Sequence, residues 1–123
     1  MRRITEPLEK SLGANFKTTN NCLPLEIIGN SNLVSNGKDI LIEIPSAQIK
    51  SGIILAALNT KGITRIIEKN ITRDHTEIML EYFKADLNIY KNGNNKIIEV
   101  VGKKELSASN IDVPSDLSSS AFF

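Results

Sequence analysis

The sequence has little of the residues that announce special chemistry: one cysteine, one histidine and no tryptophan in 123 residues. The lone Cys22 excludes an internal disulfide and a cysteine-built zinc site. Charge of one sign is also missing, because 15 basic residues face 14 acidic ones and leave a net charge of +1. A dedicated nucleic-acid binder shows a basic excess, and a disordered acidic tail shows the opposite. No apolar run approaches the roughly 18 residues needed to cross a bilayer. The basic start, Met1 to Pro7, has no apolar segment behind it and does not read as a signal peptide. These absences lead us to expect a cytoplasmic protein with no membrane and no nucleic-acid partner. What remains, 41% apolar and 24% charged residues, is ordinary for one soluble domain.

Periodicity divides the chain into alternating elements. Ile4, Leu8 and Leu12 form an i, i+4, i+8 stripe, so a helix is expected over 4–12, with Pro7 in its first turn and Gly13 ending it. Strands are expected over 14–19 and 23–28, joined by the turn at Thr18 to Asn21, with Pro24 marking an edge. A Gly/Asn/Ser-rich loop over 29–38 leads to a β-branched strand at 39–44. The period then changes: Ala47, Ile49, Ile53, Ile54, Ala57 and Leu58 share a helical face, which Thr60-Lys61-Gly62 stops. A strand at 63–69 follows. A helix over 72–83 is expected next, with Ile78, Met79, Tyr82 and Phe83 as its apolar stripe. Strands at 85–90 and 96–101 flank an Asn-Gly hairpin turn. A polar connector over 102–109 leads to a short strand near Ile111 and Val113 and to the start of a helix at Ser115.

The order from 39 to 101 is β-α-β-α-β-β, and 4–28 repeats the tail of that order. This points to an α/β (α+β) fold built from repeated units. Right-handed crossover makes the strands at 39–44 and 63–69 parallel.

Three steps can carry chemistry, the last being Val113 to Phe123, whose small residues would allow close approach of a helix N-terminus and whose plainer reading is a capped helix start or a linker. At Pro45-Ser46-Ala47-Gln48 a strand gives way to a helix with Ser46 at its cap. The free N–H groups of such a first turn, with the Ser46 hydroxyl and the Gln48 amide, suit a ligand bearing an anion and hydroxyls. The plainer reading is an ordinary serine cap with Gln48 and Lys50 on a solvated face. At Thr72-Arg73-Asp74-His75-Thr76-Glu77 another helix starts, capped by Thr72 or Asp74, with Asp74 and Glu77 at capping-box spacing. Arg73 is placed to share an anion with Ser46. His75 reads as a solvated helix-start residue rather than a base.

Five segments in order resemble one family. They are Met1-Arg2-Arg3-Ile4 through Pro7-Leu8, Leu23-Pro24-Leu25 with Ile27-Ile28-Gly29, and Ser46-Ala47-Gln48-Ile49-Lys50-Ser51. Arg73-Asp74-His75-Thr76-Glu77 with Met79-Leu80 is the fourth, and Val113-Pro114-Ser115-Asp116 through Phe123 the fifth. Together they resemble the 5-enolpyruvylshikimate-3-phosphate synthases, and the Ser-Ala-Gln form is similar to their glyphosate-tolerant class. That resemblance implies transfer of the enolpyruvyl group of phosphoenolpyruvate to the 5-hydroxyl of shikimate 3-phosphate, without a cofactor or metal. It implies the enolpyruvyl transferase fold, with 39–101 one complete unit and 4–28 the end of the unit before. Residues 1–112 would be part of the first domain and 113–123 the start of the crossover. Ser46, Ala47, Gln48, Thr72 and Arg73 would bind shikimate 3-phosphate, and Gln48 would also meet phosphoenolpyruvate. Thr72 stands where the family usually has serine, Ser115 where it has glycine, and Ile78 where it has arginine, on a face expected to be solvated with Glu77. The family's catalytic groups match no position here, so no catalytic residue is assigned and the chain alone is expected to be inactive. A monomeric full-length enzyme and some self-association of this shorter chain are expected. The competing reading is a small β-α-β-α-β-β binding module, RNA-binding or initiation-factor-like, which would need stacking aromatics on its sheet. The sister enolpyruvyl transferase acting on a UDP-sugar and the RNA 3′-phosphate cyclase share the fold but resemble these motifs less closely.

Overall fold

A computed structural model describes residues 2–20, 22–30 and 32–113. Among these, helix α1 (Arg2–Leu12) leads into strands β1 (Asn15–Thr19) and β2 (Cys22–Ile28). Strand β3 (Ile40–Ile42), helix α2 (Ala47–Leu58), strand β4 (Ile63–Glu68) and helix α3 (His75–Tyr82) follow, and then strands β5 (Leu87–Asn92) and β6 (Asn95–Val101). The β-α-β-α-β-β order is thus realised from β3 to β6, after an α-β-β segment.

β1 and β2 form an antiparallel hairpin of their own, with a cis peptide bond between Leu23 and Pro24. The second sheet has the order β3-β4-β6-β5. β3 and β4 are parallel, as the crossover rule requires, and β6 lies antiparallel between β4 and β5. The hairpin register pairs Asn92 with Asn95, so the loop is Gly93-Asn94 rather than an Asn-Gly centre. Gly93 takes the positive φ of 59° that the first central position of such a tight turn demands.

One face of the sheet carries the core. Ile40, Ile66, Ile98 and Ile89 stand in one register row across all four strands. Ile53, Ile54 and Ala57 of α2, Leu12 of α1 and Leu80 of α3 pack onto that side, with Ile4 and Leu8 against its margin. The stripe expected on the first helix is therefore its packed face. α1 crosses α2 closely, because a Cβ on Gly52 would lie 2.8 Å from the Ile4 Cδ1. Gly102 closes the far end of β6 against the end of α2, with its N–H donating to the Gly62 carbonyl at 3.0 Å.

Several expectations are corrected. α1 begins at Arg2, so Pro7 sits inside the helix rather than in its first turn. The helix tolerates there the loss of one backbone bond to Arg3. α3 begins at His75, three residues later than expected, and its buried side chains are Glu77 and Leu80. Ile78, Met79 and Tyr82, expected as its apolar stripe, are exposed. β3 is three residues long rather than six. Among the described residues no strand forms over 102–113, and the Ile111 and Val113 side chains are exposed. The expected helix start at Ser115 lies outside the described residues.

Candidate functional site

Parallel strands β3 and β4 are neighbours, so the loops leaving their carboxyl ends open on the same side of the sheet. In sheets of this kind that side is where ligands bind. One loop delivers Ser46, Ala47 and Gln48 at the start of α2, and the other carries Thr72 and Arg73 ahead of α3.

Ser46 is the N-cap of α2, with extended φ and ψ of −153° and 115°. Its Oγ accepts from the Ile49 N–H at 3.4 Å and its carbonyl from the Lys50 N–H at 3.1 Å. The Ser46 hydroxyl proton stays available, and the N–H groups of Ala47 and Gln48 lie outside the helix ladder. Ser46 and Ala47 are half-buried, whereas Gln48 and Arg73 are exposed. Both halves of the expected anion set are therefore reachable from solvent.

Thr72 differs. Its N–H and its hydroxyl both donate to the Glu68 Oε1, at 3.2 and 2.6 Å. It caps nothing. Asp74 occupies the N-cap position of α3 but makes no side-chain cap bond, so the expected Asp74–Glu77 capping box does not form. His75 is exposed at the first helical position.

Beneath the two loops lies a set of four charges, of which Lys50 and Glu77 are expected from the sequence on solvated faces. Lys50 is fully buried. Its ammonium meets the Glu68 Oε2 at 3.2 Å and the Glu77 Oε1 at 2.8 Å. The Lys96 ammonium reaches the same Glu77 oxygen at 3.0 Å. Two cations and two carboxylates thus alternate, with no net charge, where α2, β4, α3 and β6 converge. The expectations that Lys50 and Glu77 lie on solvated faces are wrong. Buried ions of this kind persist only when paired, and here each has an opposite partner within salt-bridge distance. Glu77 Oε2 is the one carboxylate oxygen of the set with no hydrogen-bond partner among the described residues. A further tie joins the helices directly, a 2.6 Å hydrogen bond between the Ser51 and Thr76 hydroxyls.

A signal for these residues existed. Glu68 is in strand phase with Thr64 and Ile66, and Lys96 with Ile98 and Val100. Lys50 is in helical phase with Ile53, Ile54 and Ala57. Charges of both signs at core-phase positions are the mark of an internal network.

Two surfaces lie apart from these loops. A groove between α1 and β3 is lined by Arg2, Arg3, Lys10, Asp39, Glu43 and Ile53, among others, and by none of the five candidate residues. The outer sheet face carries Leu41, Ile67, Ile97 and Tyr90 in one register row, with Tyr90 the single aromatic on β3 to β6. Beside Tyr90, Glu99 accepts from its phenol at 2.9 Å and from the Asn88 amide at 3.1 Å. Such a face is not a base-stacking platform, which disfavours the RNA-binding alternative.

Comparison with known proteins agrees. The sequence model of the family described as EPSP synthase (3-phosphoshikimate 1-carboxyvinyltransferase) matches residues 1–123. The 3-phosphoshikimate 1-carboxyvinyltransferase of Methylococcus capsulatus is 46% identical over 124 residues, covering 100% of this chain and 27% of that protein. The protein of the same name from Maricaulis maris is 43% identical over 122 residues, covering 99% and 26%. The solved EPSP synthase of Acinetobacter baumannii superposes with a TM-score of 0.77 at 41% identity, over 99% of this chain and 26% of that one. The chain spans about a quarter of the length of these relatives. A full-length match to the family's sequence pattern, carried on the family's backbone, places this chain in the EPSP synthase (3-phosphoshikimate 1-carboxyvinyltransferase) family.

Proposed function

We propose that this chain supplies part of the shikimate 3-phosphate site of an enzyme that transfers the enolpyruvyl group of phosphoenolpyruvate to the 5-hydroxyl of that substrate, releasing phosphate. The observation that carries the reading is the pair of loops at the carboxyl ends of β3 and β4, one a serine-capped helix start and the other bearing Arg73. On this reading the Ser46 hydroxyl and the free N–H groups of Ala47 and Gln48 donate to the anionic substrate. The Gln48 amide, which both donates and accepts, lies between the two substrates. Arg73 adds a permanent positive charge, and Thr72 adds its hydroxyl.

Residues 1–112 then belong to the first domain of the whole enzyme and 113–123 begin the crossover. The isolated chain binds weakly and does not turn over, because the transfer needs charges converging on both anions from two closing domains. A cytoplasmic setting fits the free, exposed thiol of Cys22. Among the described residues no helix is long and apolar enough to cross a membrane.

A two-dimensional amide NMR titration with shikimate 3-phosphate to several millimolar, with inorganic phosphate as control, tests the reading. Shifts concentrated at Ser46, Ala47, Gln48, Thr72 and Arg73, larger than those from phosphate, are expected. Binding in the millimolar range or weaker is the appropriate scale for half a site without domain closure. A dispersed spectrum with no shikimate 3-phosphate-specific shifts at these residues overturns it.

A further inference from the structure

Thr72 and Arg73 lie in the irregular segment between β4 and α3, yet Thr72 is tightly held. Both of its donors converge on one oxygen of Glu68, a fully buried carboxylate at the end of β4. The other Glu68 oxygen accepts from the Lys50 ammonium. Lys50 stands one helical turn beyond Ser46, its own N–H bonded to the Ser46 carbonyl. A single buried ammonium therefore links the two loops: Ser46 through the first turn of α2, and Thr72 through Glu68. Glu77 and Lys96 complete the charge balance without touching either loop.

We propose that Glu68 is a positioning residue for the ligand site, fixing Thr72, and that Lys50 compensates the buried charge of Glu68. The proposal rests on the reading of Thr72 and Arg73 as ligand contacts. It also defines what Thr72 does when the phosphate arrives. A phosphate oxygen is an acceptor, and both Thr72 donors are already engaged. The hydroxyl proton turns from Glu68 to the phosphate, while the N–H bond to Glu68 keeps the residue in register. Glu68 acts through Thr72 and never touches the substrate.

Two charge-balanced double variants of this chain separate positioning from folding. Lys50→Met with Glu68→Leu removes one cation, one anion and the acceptor for Thr72. Lys50→Met with Glu68→Gln removes the same charges and keeps an acceptor. Amide hydrogen exchange at Thr72 and Arg73 is read without ligand, and shikimate 3-phosphate binding by NMR titration. In the Leu double variant we expect protection at Thr72 to fall about tenfold and the dissociation constant to rise about tenfold, while exchange on β4 and β6 stays unchanged. The Gln double variant restores both. Unchanged Thr72 protection in the Leu double variant overturns the proposal, as does shikimate 3-phosphate binding equal to that of the wild-type chain. If the wild-type chain binds no shikimate 3-phosphate, the half-site reading fails, and the exchange data still decide the positioning role. Should the Leu double variant not fold, Thr72→Val and Thr72→Ser decide it with the charge network intact. Val lowers the protection at residue 72 and Ser preserves it, and equal protection in the two overturns the proposal.

Discussion

Gly102→Ala is expected to cost this fold a large share of its stability, for a reason local to one point. An added Cβ would lie 1.7 Å from the Thr60 carbonyl oxygen and 2.4 Å from that of Ala57, both backbone atoms at the end of α2. Neither can swing aside as a side chain would, so the strand end and the helix end must part by more than an ångström. Two backbone bonds bridge that junction, Gly102 N–H to the Gly62 carbonyl at 3.0 Å and Lys103 N–H to the Leu58 carbonyl at 2.8 Å. Losing buried bonds costs about 1–3 kcal/mol each, and overpacking adds a similar amount, so a total of about 3–9 kcal/mol is expected. A domain of this kind has about 5–15 kcal/mol in all. Gly93→Ala is the paired control. Nothing lies within 4 Å of its added Cβ, and only the positive φ of 59° opposes it. The cost there is about 1–2 kcal/mol. Urea melts of both variants followed by far-UV circular dichroism measure the difference. A Gly102→Ala midpoint equal to or above that of Gly93→Ala would refute the steric argument.

Two further predictions address charge. Lys50→Met alone leaves Glu68 and half of Glu77 unpaired in the interior and costs about 3–5 kcal/mol, whereas pairing it with Glu68→Leu recovers most of that loss. The same melts check this, and a double variant no more stable than the single one would sink it. The Tyr90 phenol is held above its ordinary pKa of 10.0, first by donating to Glu99 and then by partial desolvation. The protonated phenol is the favoured form, so its contribution is complete below the ordinary value and is lost as pH rises through the folded one. Ultraviolet titration in a Tyr82→Phe background should show late ionisation of Tyr90, moved back toward 10.0 by Glu99→Gln. An unmoved curve would count against the hydrogen bond as its cause.

The fold was largely legible because its elements obey their own periods. Ile4-Leu8-Leu12 packs as written, the Ser46 cap forms, and the parallel pairing of β3 with β4 follows from the crossover. Legibility failed wherever charge stood at a core position. Glu77 and Lys50 read as solvated from the sequence because single charged residues usually are. Their partners are 27 and 18 positions away in sequence, counting Lys50 to Glu77 and to Glu68, so no local window contains the pair. The pattern of α3 misleads for a related reason. Its exposed Ile78, Met79 and Tyr82 outnumber its buried apolar Leu80, so the apolar stripe marks the outer face. Of the five candidate residues, the helix-cap set could be read from Ser46 and the strand before it. The Glu68 hold on Thr72 could not, because an acceptor four residues upstream carries no motif.

The place of β6 has a consequence for how the molecule assembles. Among the described residues it is, with β4, one of the two strands bonded to neighbours on both sides. Before residues 95–101 leave the ribosome, β5 has no neighbour, and β3 and β4 stand as a lone parallel pair. Ile98 and Val100, both fully buried, fill the centre of the core from that strand. Insertion of β6 is therefore the step that converts two separate fragments into one cooperative sheet. Folding waits on it, and until then the apolar faces of α2 and β4 stay open to the wrong partners.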